Sequence, residues 1–252
     1  MSMNSIEGSD GDSLPAALAA PVVRFDSVAL PGGDATPSSR RLSFALAAGS
    51  FHVLTGAAGC GKTLVLNLIC MAGRPASGRV QVFGRDTATF GRGDVRQFRR
   101  RIGLMFEADR LIEHLNVFDN AALVPRIVGQ KLRDYGPRVA QTLAWVGLGK
   151  RMDVLPAALS AGQRRRLAIA RAMANGPEML LADEPTGGLD GEAGLRVLRL
   201  LAEINGAGTT VLMASRDEAL AAASGAPVLH LHEGRLTVID GFHPAMAPWP
   251  RP

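Results

Sequence analysis

Cysteine, lysine and tyrosine are nearly missing from this chain of 252 residues, and each scarcity excludes something. The two cysteines, Cys60 and Cys70, fall inside one short segment, so no disulfide framework is implied and a reducing compartment is expected. Lysine appears only at positions 62, 131 and 150, so the formal charge of +5 rests on arginine. With aromatics at 5%, no basic groove interleaved with aromatic side chains is visible, and nucleic acid is not an expected partner. The stretch from Leu42 to Gly61 lacks Asp, Glu, Lys and Arg, but its glycines and His52 make it strand plus loop rather than a membrane helix. No basic start and apolar core opens the chain, so no secretory signal is expected there. Residues 1–20, rich in Ser, Gly and Asp, read as a disordered tail, and 241–252 as a loose Pro-rich one with Trp249 near its end. Membrane association is therefore expected to come through a partner.

Against that background, Gly56-Ala57-Ala58-Gly59-Cys60-Gly61-Lys62-Thr63 spells G-x-x-x-x-G-K-[ST] directly after the apolar segment Phe51 to Leu54. Glycines let consecutive backbone N–H groups converge on phosphates, and the helix opening near Gly61 points its positive end at them. Lys62 then bridges the outer phosphates and the Thr63 hydroxyl is placed to ligate Mg²⁺; Leu64 completes the contacting segment. A lysine in such a loop is expected to be solvent-accessible. Cys60, beside a lysine at a helix start, is either an oxidisable thiol or simply a small residue at a permissive position.

Two further motifs follow. Leu159-Ser160-Ala161-Gly162-Gln163 opens an apolar helical run through Leu167, Ala168, Ala170 and Ala172 and looks like a second anion-binding helix start. Met179 to Ala182 is a continuous apolar run ending in Asp183 and Glu184, the way a buried parallel strand delivers acids to its carboxyl end, and Thr186-Gly187-Gly188-Leu189-Asp190 comes next. Around these, strands are expected at Val22 to Leu30, Arg41 to Ala47, Arg79 to Phe83, Arg101 to Phe106 and Thr209 to Ala214. Helices are expected from the phosphate loop through Met71, as one stretch from about Val117 to Gly147, from Glu192 to Glu203 and from Asp217 to Ala223. Strands alternating with helices predict a mostly parallel sheet with phosphate sites at its carboxyl edge. Arg96 with Arg99, Arg100 and Arg101, and Arg164 to Arg166, read first as solvated helix faces, and secondly as charge available to anionic lipid.

Loop, signature, acidic strand and Leu-Asp turn in this order resemble the nucleotide-binding domain of ATP-binding cassette (ABC) proteins from about Val22 to Asp240. Phe106 to Leu111, Val117 to Leu123 and Trp145 to Leu148 are most similar to the cell-division, FtsE-type members, although lipoprotein-release and macrolide-export ATPases share much of the wording. The resemblance implies an α/β P-loop NTPase of the ABC type, one domain over 21–240. Its core sheet is mostly parallel, its N-terminal β part antiparallel, and a helical lobe is inserted at about 107–175. It implies Mg²⁺-dependent ATP hydrolysis: Thr63 holds the metal directly, Asp183 through water, and Glu184 is the general base orienting the attacking water. It further implies a head-to-tail homodimer in which Ser160, Gly162 and Gln163 of one subunit contact the γ-phosphate held by the other, with Asp190 at the seam. An FtsX-like integral membrane subunit would place the chain in the cytoplasm, on the inner face of the plasma membrane.

Three departures from the family pattern stand out. No aromatic for stacking on adenine occurs in Val28-Ala29-Leu30-Pro31-Gly32-Gly33, so base affinity is expected to suffer. Glu107 stands where the family has a glutamine near Mg²⁺ and the attacking water; it keeps an oxygen ligand for the metal but adds a negative charge near the γ-phosphate. Arg216 stands where it has a γ-phosphate histidine, and either Asp217 and Glu218 neutralise it or it reaches the phosphate and offsets Glu107. Hydrolysis driving a membrane partner and a weakly hydrolysing ATP-dependent switch or scaffold both fit these residues.

Overall fold

The computed structural model describes residues 21–31 and 41–239. The two tails, and Gly32 and Gly33, lie outside the described residues.

Two sheets enclose the first core. One is antiparallel in the order β2-β1-β4-β5, built from β1 (Val23–Ala29), β2 (Leu42–Leu46), β4 (Ser77–Val82) and β5 (Arg85–Asp86). The other has six strands in the order β10-β9-β3-β8-β7-β6: β3 (Phe51–Thr55), β6 (Ile102–Met105), β7 (Met179–Asp183), β8 (Thr210–Ser215), β9 (Val228–His232) and β10 (Arg235–Ile239). Every pairing in it is parallel except β9 with β10. β7 and β8 are buried along their whole length, which is why they read as unbroken apolar runs rather than alternating ones. Helix α1 (Lys62–Ile69) fills the space between the sheets, its Val65, Leu66, Leu68 and Ile69 packing with Phe25, Val28 and Leu42 on one side and Leu54, Leu181 and Leu212 on the other. The second core lies on the opposite face of the parallel sheet, under α5 (Leu132–Trp145), α6 (Ala161–Met173) and α7 (Gly191–Gly206).

The helical lobe differs from the single stretch expected. It breaks into α3 (Val117–Ala121), α4 (Leu123–Ile127) and α5; before β6, α2 (Arg92–Arg99) carries Arg96 and Arg99 of the first arginine cluster. Pro125 sits in the first turn of α4, where its missing N–H breaks no helical bond, and Gly129 at φ 81° ends that helix. Asn120, fully buried, holds the entry to the lobe: its amide donates to the carbonyls of Ile112, Leu115 and Asn116, and its Oδ1 accepts from Ile112 N at 2.8 Å. Helix α1 also stops at Ile69 instead of running through Met71, which takes a left-handed φ of 58°. Strands β9 and β10, also unassigned from sequence, form a hairpin whose turn residues Glu233 and Gly234 have φ of 46° and 74°.

Candidate active site

Parallel strands β3, β7 and β8 end side by side, and three of the predicted segments leave from those ends. From β3 the chain turns through Gly56, Gly59 and Gly61, all at positive φ, into α1. At Gly56 a side chain is impossible, since a Cβ there would lie 2.3 Å from the Leu231 carbonyl oxygen. The start of α1 has no side-chain cap and no acidic residue in its first turn, so its free N–H groups and positive dipole end are left for an anion. Ala57, Ala58 and Gly59 form the exposed crest, Cys60 and Gly61 are half-buried, and Leu64 is exposed. Cys70 is buried, and burial pushes its thiol up, away from reactivity. Leu30 leans on this loop closely enough that a Cβ on Gly61 would meet its Cδ1 at 2.6 Å; it offers apolar contact but no aromatic face.

Lys62 is the first correction. It is only 6% exposed, not a surface lysine, because its ammonium curls back to donate to the carbonyls of Gly56 (2.6 Å) and Ala57 (3.2 Å) and lies 4.0 Å from Glu184 Oε1. Thr63 donates its hydroxyl to Asp183 Oδ2 at 2.9 Å, so the two predicted metal ligands already meet. Among the described residues there is no cluster of three or more His, Cys, Asp or Glu side chains fit to hold a metal. One hydroxyl and one carboxylate nevertheless suit Mg²⁺, which keeps several waters and takes the rest of its shell from phosphate oxygens.

Asp183 ends β7, and the chain turns sharply at Glu184, a non-glycine residue at φ 46° whose backbone N–H donates a hydrogen bond to the Ala214 carbonyl (2.9 Å). Such strain costs about 1–3 kcal/mol and persists where the surroundings over-determine it. Burial is the main cause that holds both carboxyls above their usual range; Thr63 opposes this at Asp183, and the Arg216 amide, Lys62 and Arg216 oppose it at Glu184. Glu184 Oε2 accepts from Arg216 N at 3.1 Å. Its Oε1 lies 3.2 Å from Arg216 Nε but makes no aligned hydrogen bond, so that contact is an ion pair only.

Arg216 does not turn to Asp217 or Glu218. Asp217 caps helix α8 (Glu218–Ala223) by accepting from Leu220 N at 3.0 Å, while the Arg216 guanidinium donates to Glu107 Oε1 at 3.1 Å. Glu107, Glu184, Arg216 and Thr186 to Gly191 line one cleft of about 750 Å³.

Ser160 and Gly162 lie elsewhere. Ser160 caps α6 in a reciprocal box with Gln163, and both line a smaller cavity of about 190 Å³ with Gly162 and Asp190; no residue of the phosphate loop lines it. Asp190 caps α7 by accepting from Ala193 N at 2.7 Å.

The arginines after the signature are the second correction, for they are not a solvated face. Arg165 donates to the carbonyls of Glu107 and Gly187 and pairs with Asp109 at 3.0 Å; Arg164 pairs with Glu113 at 2.6 Å; Arg166 donates to the Val146 carbonyl at 2.5 Å. Arg171, buried on the apolar face of α6, donates to the carbonyls of Arg110 (2.7 Å) and Asp109 (2.5 Å). The signature helix thus latches the Glu107 loop. Sequence reasoning missed Arg171 and Asp109; the available signal was an arginine inside an apolar stripe, which must find buried acceptors. In the earlier cluster, Arg101 pairs with Glu178 at 2.5 Å and lies over the Phe83 ring, and Arg99 closes the end of α1 on the Cys70 and Met71 carbonyls.

A glycine loop entering a bare helix start, beside an acidic pair at the end of a buried parallel strand, defines a P-loop nucleotide-binding protein. The chain belongs to the ABC transporter family, whose model matches residues 39–187. It is 36% identical over 215 residues to the cell division ATP-binding protein FtsE of Escherichia coli K12, covering 85% of this chain and 97% of that protein. It is also 38% identical over 200 residues to the methionine import ATP-binding protein MetN of Cereibacter sphaeroides, covering 77% and 57%. A solved dimer of a bacterial ABC transporter cassette superposes with a TM-score of 0.75 at 28% identity, covering 87% of this chain and all of that one. No helix among the described residues is long and apolar enough to cross a membrane.

Proposed function

We propose that this chain is the ATP-hydrolysing subunit of an FtsEX-like complex, coupling ATP-driven dimerisation to an integral membrane partner in cell division and cell-wall remodelling. The observation that carries the reading is the convergence of Lys62, Thr63, Asp183 and Glu184 within hydrogen-bond and ion-pair reach at the carboxyl edge of β3 and β7. The near-complete coverage of FtsE favours the division branch. A transport role is the second reading, favoured by MetN at comparable identity.

In this reading the ATPase domain spans 21–240. Lys62 leaves its loop carbonyls for the β and γ phosphates, which the free amides at the start of α1 also hold. Thr63 and Asp183 hold Mg²⁺, which when bound screens phosphate charge and orients the terminal phosphoryl group. Glu184 aligns water with that group and takes its proton; a carboxyl raised by burial is a better base than an exposed one. Separation of Ser160 and Gly162 from the phosphate loop fits a site completed by a second copy, with Asp190 at the seam. Charge at Glu107, where the family has a neutral amide, fits slow turnover.

The membrane partner docks in the groove beside β6, about 330 Å³, lined by Phe106, Arg110, Leu123, Val124 and Arg171. The latch from α6 to the Glu107 loop then joins partner, lobe and γ-phosphate. In the segment that follows Arg110, Leu111 and Val117 are core, whereas Ile112, Leu115 and Phe118 are half-buried. Steady-state phosphate release by the purified chain, alone and with the membrane protein that co-purifies with it, tests the reading. Turnover abolished by Glu184→Gln is expected; equal phosphate release by wild type and Glu184→Gln refutes hydrolysis at this site.

A further inference from the structure

The guanidinium of Arg216 spans two carboxylates of opposite character. Glu184 is buried, its side chain 9% accessible, whereas Glu107 is 54% accessible and Arg216 itself 53%. The backbone N–H of Arg216 also donates to Glu184, so residue 216 grips the candidate base through main chain and side chain together. At the other end the pair with Glu107 faces water in the wide cleft. An exposed ion pair of this kind is weakly held, so it exchanges readily for another anion.

The charge count gives that exchange a direction. Asp183, Glu184 and Glu107 are arranged about Lys62 and Arg216, three carboxylates against two cations, so the site resists a polyphosphate unless the cations are turned toward it. Asp217 is occupied in capping α8. Glu107 is the group whose charge Arg216 must offset. A guanidinium can replace one carboxylate oxygen by a phosphate oxygen without losing a donor contact, because its N–H groups form a planar fork.

We propose that Glu107 and Arg216 are a reciprocal pair that makes the site discriminate ATP from ADP: Arg216 positions Glu184 and gives up Glu107 for the γ-phosphate, while Glu107 restrains the guanidinium until that phosphate arrives. This inference rests on the ATP reading above. On this proposal the pair acts on the third phosphate, which ATP carries and ADP lacks. The ratio of ATP to ADP affinity is therefore the quantity it sets.

Isothermal titration of the full chain with Mg-ATP and with Mg-ADP tests this, using Arg216→Ala, Arg216→Lys, Glu107→Gln and the double variant Glu107→Gln/Arg216→Ala. For groups in direct contact we expect Arg216→Ala to weaken ATP about tenfold and leave ADP within about twofold. Arg216→Lys should recover part of the loss, and adding Glu107→Gln to Arg216→Ala should bring ATP back to within about threefold of wild type, because the uncompensated charge is gone. Equal losses for ATP and ADP, or single effects that simply add, overturn the pair. So does a Glu107→Gln variant that binds ATP more weakly with Mg²⁺ but normally with a chelator present, since Glu107 would then be a metal ligand rather than the partner of Arg216. If wild type binds neither nucleotide the ATP reading itself falls; if it binds ATP and no variant moves the ratio, only the pair is refuted.

Discussion

Replacing Lys62 by alanine should unfold the nucleotide-free protein at a lower temperature as well as abolish ATP binding, and the first effect follows from burial that a surface lysine would not have. The ammonium makes a charged hydrogen bond of 2.6 Å to the Gly56 carbonyl, and it is one of the two cations that lower the Glu184 carboxyl against its burial. A hydrogen bond to a charged group contributes about 1.5–3 kcal/mol. Stranding a buried partner outright costs about 3–5 kcal/mol, but Glu184 keeps the amide and guanidinium of Arg216, so the loss should stay near the lower range. For a domain of this size a loss of about 1.5–3 kcal/mol lowers Tm by roughly 3–12 °C. Differential scanning fluorimetry gives both halves of the test. Without ligand the variant should melt earlier by that margin. Saturating Mg-ATP, which at about a hundred times Kd adds about 2.7 kcal/mol to wild type, should then leave the variant unmoved. A variant that melts with wild type and still shifts with ATP would refute the place of Lys62 in both the apo network and the phosphate site.

Three other outcomes are expected. Glu184→Gln with saturating ATP should trap a dimer visible by light scattering, because the base is lost while the phosphate contacts remain; a persistent monomer, with and without the partner, sinks the two-copy site. Asp183 and Glu184 both have folded carboxyls raised by burial, so the folded protein binds their protons more tightly than the unfolded chain does. Stability from this source is full below the unfolded carboxylate pKa of about 4 and falls as pH climbs through the folded values. The apo Tm should therefore drop more steeply with rising pH in wild type than in Glu184→Gln, and parallel Tm profiles would contradict it. Arg171→Met removes the buried donor to the Asp109 and Arg110 carbonyls while keeping much of its volume. It should cost about 1–3 kcal/mol in thermal or urea unfolding, keep ATP affinity, and lower stimulation of phosphate release by the membrane partner. Unchanged stability and stimulation would remove the latch.

The phosphate loop, the acidic strand end and the alternation of strands and helices were legible in the sequence because each is local. Gly56 to Thr63 is one continuous turn whose glycines are required by its own backbone, and Met179 to Asp183 reads as a buried strand because both of its faces are covered. What escaped was set by distance along the chain. Arg165 looked like surface charge and Arg171 went unnoticed until the fold brought the loop at Glu107 to Arg110 against α6, about sixty residues away, with the carbonyls that take up their donors. Lys62 looked exposed because a loop motif carries no information about the strand ends packed over it. β9 and β10 were missed because a short hairpin has little periodicity of its own, and its place is fixed by pairing with β3. Arg216 and Glu107, 109 positions apart, were each visible as an unusual residue. Whether Asp217 and Glu218 or Glu107 neutralised the arginine was decided only where β8 ends beside β7, because an ion pair depends on a separation of a few ångströms that sequence distance does not encode.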